Sequence, residues 1–123
     1  MTDQPAAIEL DPTPLVLTMI EKSKAGKLKW QPTADERAFI ASVGGDTTLK
    51  ITKESVEHIG GYGNPEMIDT PVLFMLDSKG RTLWEIHSSQ VHGGLWVLYN
   101  LAQRIGNKLD ERMANLIEVL QRI

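Results

Sequence analysis

Three histidines, a glutamate and a pair of serines are the side chains through which this chain could do chemistry. His87 and His92 stand five apart across Ser88-Ser89-Gln90-Val91, and Glu85 lies two residues before them. At one strand end these three could offer ligands to a metal ion. Zinc, however, prefers a further dedicated ligand and a recognisable spacing, and two histidines four apart on a helix are absent. Ser88 and Ser89 beside the histidines could be written as nucleophile and base. Neighbours on a strand point to opposite faces, so His87 and Ser88 diverge, and no serine has the Gly-x-Ser-x-Gly frame. His87 and His92 are therefore expected to be contact residues, with no catalytic residue, metal or cofactor assigned.

Gly60-Gly61-Tyr62-Gly63-Asn64-Pro65 is the second candidate. No Lys-Ser or Lys-Thr follows, so it is not a phosphate-cradling loop. Glu66 stands where a dinucleotide fingerprint needs its third glycine. Gly61, Tyr62 and Asn64 are candidate binding residues, because a tyrosine offers large contact area at low entropy cost. They sit in a connection over 53–70 that reads as a long loop, expected to be the most mobile internal segment. The adjacent acids Asp35-Glu36 and Asp110-Glu111 lack the opposed placement that paired acid–base catalysis needs. Leu101 to Leu109 has a faint helix-turn-helix character, but Gly94 to Ile123 carries four basic and three acidic residues. Lys22, Lys24, Lys27 and Lys29 form the one local run of like charge, beside a helix end whose dipole they complement.

The elements that would position these residues follow from periodicity. Thr13-Pro14 opens a helix, with Thr13 as N-cap and Pro14 at the first helical position. Leu15, Val16, Met19 and Ile20 form its apolar face, and Gly26 ends it. Leu28, Trp30 and Pro32 alternate with Lys29 and Gln31 as a short strand. Residues 38–43, 47–52, 71–76 and 81–87 follow as strands, with turns at Gly44-Gly45-Asp46 and Asp77-Ser78-Lys79-Gly80. Leu95, Leu98, Ala102, Ile105, Leu109, Met113, Leu116, Leu120 and Ile123 then advance by threes and fours. One helix over that stretch would run about 43 Å, so a break is expected at Gly106-Asn107, with Asn107 capping a last helix. The fold class is α+β: an N-terminal helix, about five strands in an antiparallel meander, and one or two C-terminal helices packed on the sheet.

Val72-Leu73-Phe74-Met75-Leu76 is apolar on both faces, whereas a sheet with one face in water alternates. Either the N-terminal helix covers the second face or a second copy does so across a two-fold axis. A homodimer is the expected assembly.

Composition narrows the function classes. At 123 residues, 41% hydrophobic and 24% charged, the chain suits a single globular domain over 13–123, preceded by a flexible acidic leader over 1–12. Asp3, Glu9 and Asp11 precede residue 12, and the remainder balances 13 basic against 13 acidic residues. That balance offers no bulk attraction to nucleic acid or an anionic membrane. Zero cysteines exclude disulfides and thiolate chemistry and fit a cytoplasmic location, as does an N-terminus without a secretory pattern.

Gly26-Lys27-Leu28-Lys29-Trp30, Asp77-Ser78-Lys79-Gly80-Arg81, and Leu98 through Leu120 with Gly106 before Leu109-Asp110-Glu111 resemble a loose group of small bacterial and phage α+β proteins of unknown function. The resemblance implies the strand order and brings no catalytic signature. The expected function is a non-enzymatic protein-binding module of the inhibitor, immunity or accessory-factor kind. A ligand-binding or metal-dependent enzyme using His87, His92 and Glu85 is the alternative, and nucleic-acid binding through the C-terminal helices is a weaker one.

Overall fold

The structure is a computed structural model describing residues 10–59 and 63–123. Helix α1 spans Thr13–Lys24. Five strands follow: β1 (Gln31–Pro32), β2 (Ala38–Ser42), β3 (Thr48–Ile59), β4 (Pro65–Leu76) and β5 (Thr82–His87). They form one antiparallel meander in chain order. Two helices close the chain, α2 (Gly94–Gly106) and α3 (Leu109–Arg122). The α+β class, the meander and the break after Gly106 match expectation.

Binary patterning explains one face of the sheet. Phe39, Ile51, Leu73 and Ile86 stand in register across β2 to β5, and Ala41, Leu49, Met75 and Trp84 form the next row. These side chains meet Val16 and Met19 of α1 and Leu95, Leu98, Tyr99 and Ala102 of α2 in one core. Both helices thus lie on the same face, which removes the alternative in which the N-terminal helix covers the other one. Two glycines let the layers approach. A Cβ on Gly94 would sit 3.2 Å from Val16 Cγ1, and one on Gly106 would sit 2.6 Å from the Phe39 ring.

Local details correct the sequence reading in four places. Asp11 Oδ1 accepts the Thr13 N–H at 3.0 Å, so it does the capping assigned to Thr13, and the cap position itself is Pro12, which is buried. Asp11 and Pro12 therefore cap α1, while 1–9 of the expected leader lie outside the described residues. Leu28 and Trp30 are buried as expected, but only Gln31 and Pro32 pair as a strand. The indole N–H of Trp30 donates to Ser23 Oγ at 2.9 Å, so Trp30 is tied to α1 instead of to a sheet ladder.

The third correction is the largest. Most of the expected loop over 53–70 is β-structure: β3 and β4 pair from Thr48↔Leu76 through Ile59↔Pro65. Beyond Lys53 and Pro71 the hairpin leaves the body as a two-stranded arm whose residues 55–59 and 65–69 are exposed. Alternation failed to announce it because neither arm face is buried. The fourth correction concerns α3, which does not pack on the sheet: none of its residues is buried.

Candidate functional site

His87 is held in place by local bonds. Its Nε2 lies 3.1 Å from Glu85 Oε1. Its side chain also accepts the Gln90 backbone N–H, while Gln90 Oε1 accepts the His87 N–H at 2.8 Å. The exchange with Gln90 starts the short 3-10 turn Ser88–Gln90. Ser88 Oγ is engaged too, with Thr70 Oγ1 at 3.1 Å and the Pro71 carbonyl at 3.2 Å. His92 is exposed with φ 45°, one of two successive left-handed residues that turn the chain into α2. Among the described residues, no three His, Asp or Glu groups converge to hold a metal, so Glu85, His87 and His92 do not form a ligand set. His58 lies opposite Glu66 on the arm. Asn64 is exposed at the arm's end, and Gly61 and Tyr62 lie outside the described residues.

The perturbed carboxyls serve structure. The Ser55 hydroxyl at 2.8 Å and then the Arg37 guanidinium at 2.7 Å hold Asp69 below the usual carboxylate range. That cluster braces the base of the arm against the segment entering β2. Asp77 is lowered by backbone N–H groups of Arg81 and Lys79 and by the Arg81 side chain, which close the β4–β5 turn. Burial pushes the Tyr99 phenol up, and its hydroxyl donates to the Arg37 carbonyl at 3.1 Å. None of these groups faces a second reactive group across a cleft.

What the structure leaves open is α3. Leu109, Met113, Leu116, Ile117, Val119, Leu120 and Ile123 are all exposed, Leu116 and Leu120 at 57% each. The helix is nevertheless fixed at its start. The chain turns through Lys108 at φ 54°. Arg104 grips Asp110 with bonds of 3.0 and 3.3 Å, and Arg112 Nε donates to the Asn107 carbonyl at 2.8 Å. Asp110 and Glu111 also suit the positive end of the helix. Asn107 does not cap α3 as expected; that position is Lys108, without a side-chain bond.

The cavities agree with this picture. An apolar groove of about 490 Å³ runs between Arg104 on α2 and Leu109, Met113 and Leu116 on α3. A second cleft of about 540 Å³ separates Trp30–Pro32 from the α2–α3 turn. A smaller apolar pocket of about 220 Å³ lies between α1 and the Leu49 end of the sheet. The first and third can take an apolar side chain or helix. The second adds Lys108 and Arg112 but no acid or nucleophile to work with them.

The periodicity that points to this face was present in the sequence; its exposure was not. The Leu109-to-Ile123 spacing reads equally well as a helix seated on the sheet. No family model matches the chain, and neither a curated protein nor a solved structure does so. No helix among the described residues is long and apolar enough to cross a membrane.

Proposed function

We propose that this protein is a non-enzymatic protein-binding module whose contact surface is the apolar face of α3. One observation carries the reading: seven large apolar side chains stay exposed on a helix whose root is locked by Arg104, Asp110 and Arg112. Soluble monomers seldom expose contiguous apolar patches beyond a few hundred Å², and larger ones mark contact sites. An amphipathic helix presented this way suits a groove or another helix on a partner. Inhibitor, immunity and accessory factors are the classes that fit, and the cysteine-free composition suits a reducing compartment.

The enzyme alternative has less support, because His87 is held between Glu85 and Gln90 at the strand end and His92 turns the chain. The nucleic-acid alternative has less as well: Arg104, Arg112 and Arg122 are paired with Asp110, the Asn107 carbonyl and Glu118. Photocrosslinking in cells tests the proposal. A photoreactive residue at position 116 or 120 should give protein adducts that the same residue at Glu118, on the polar side, does not. Absence of any adduct at 113, 116 and 120 would overturn it.

A further inference from the structure

We infer that the occupant of the α3 face is a second copy of this chain, with the two α3 helices packed antiparallel across a two-fold axis. The inference rests on the reading of α3 as a contact surface and names its partner. Three observations support it.

The first is the spacing. Leu109, Met113, Leu116, Leu120 and Ile123 advance by four, three, four and three, the heptad of a helix that packs along another helix of its own kind. Ile117 and Val119 flank that seam and widen it beyond a strict two-position stripe. Such width is what a helix takes when it lies among several helices. In a two-fold dimer the further helix is α2. Val97, Leu101 and Arg104 follow one another at helical spacing along α2, Val97 is exposed, and Arg104 borders the groove beside Leu109, Met113 and Leu116.

The second is area. Seven apolar side chains at about half exposure offer on the order of 400 Å² per copy, from about 60–120 Å² for a whole side chain. A standard interface takes about 800 Å² per partner, somewhat over half of it apolar. The α3 stripe together with the exposed Val97 of α2 approaches that apolar share.

The third is charge. From Lys108 to Arg122 the helix and its cap carry Lys108, Arg112 and Arg122 against Asp110, Glu111 and Glu118, so like copies do not repel in bulk. Asp110 is already paired with Arg104 and Arg122 with Glu118, so the orientation follows from the helix dipoles, which a parallel pair would align and an antiparallel pair opposes. Met113 of one copy then faces Leu116 of the other near the axis, and Leu109 faces Leu120.

Light scattering and cysteine pairing on the purified full chain test this. The wild type should have twice the chain mass at micromolar concentration, and Leu116→Glu should be a single copy with an unchanged near-ultraviolet circular dichroism spectrum. The chain has no cysteine of its own, so Met113→Cys and Leu116→Cys can be mixed and oxidised. The mixed 113–116 disulfide should predominate over either self-pair several-fold. Predominant 116–116 pairing would mean parallel helices and overturn the geometry. A single-copy wild type at all concentrations overturns self-pairing. In that event, a cellular adduct at 116 heavier than the chain by something other than a second copy leaves the contact surface standing with a foreign partner. No adduct at all removes both readings.

Discussion

Single side chains hold the joints between layers. Trp30 is 3% exposed and its N–H is the donor to a buried serine hydroxyl. Trp30→Ala should cost about 3–5 kcal/mol in urea unfolding; near-wild-type stability would show that the ring is not part of the core. Trp30→Phe keeps most of the apolar contact but strands the Ser23 hydroxyl, a loss of about 1–3 kcal/mol. Gly106→Ala forces a methyl against Phe39, where the space is 2.6 Å, and should cost about 1–3 kcal/mol through overpacking. Asp69 gives a pH signature. Its carboxyl is held low in the folded protein by Ser55 and Arg37. The contribution is therefore complete above the unfolded carboxylate value of about 3.9 and fades as pH falls through the lower folded value. The stability difference between wild type and Asp69→Asn should accordingly be present at pH 6 and shrink toward pH 2; a difference that is constant over that range would remove Asp69 from the account.

At the scale of elements, the β3–β4 arm and α3 are both regular structure without a layer above them among the described residues. The arm keeps its backbone bonds satisfied within one hairpin, so it forms strands although its faces stay wet. Two strands alone are only marginally stable in water. Amides from Ser55 to Ile59 and from Glu66 to Asp69 should therefore exchange faster than those of Leu49, Ile51 and Leu73. Equal protection along the whole of β3 would mean that something covers the arm. Replacing 57–67 by Asn-Gly should leave the body folded, because Val56 and Ile68 are directly opposed and a two-residue turn of that kind closes such a pair. Loss of the cooperative transition in the shortened protein would show that the arm is needed by the core.

For the whole molecule, the question raised by the two-sided strand β4 is where its outer face goes. Leu73 is fully buried under the helices, and Leu73→Glu should unfold the protein. Phe74 points the other way, opposite Lys50 and Glu85, and the Lys50 ammonium lies 5.5 Å from its ring centroid. The outer face is thus partly clad by long side chains of its own sheet, while the apolar side chains of α3 stay exposed. Phe74→Glu should yield a folded protein that still associates, and Leu116→Glu a folded one that does not. The reverse outcome would move the interface to the sheet. If association is tied to folding, the melting temperature of the wild type should rise with protein concentration and that of Leu116→Glu should not.

The sequence by itself determined the elements whose faces are chemically unequal. Leu49, Ile51 and Ile86 alternate with polar neighbours, Asp77 to Gly80 spells a turn, and Gly106-Asn107 interrupts an apolar helical repeat; each of these fell where local chemistry put it. The histidine cluster was legible as residue types but not as geometry, because only the folded strand end shows His87 held between Glu85 and Gln90 and His92 in the turn into α2. The arm escaped because period-two patterning exists only where one face is buried. Tertiary structure alone decided that Leu109 to Ile123, which keeps the apolar spacing of Leu95 to Ile105, does not follow it onto the sheet. The first half meets the sheet and is buried; the second is turned away by a left-handed residue and an arginine clamp. Periodicity records which side of a helix avoids water, and the path of the backbone settles whether the same chain provides the cover.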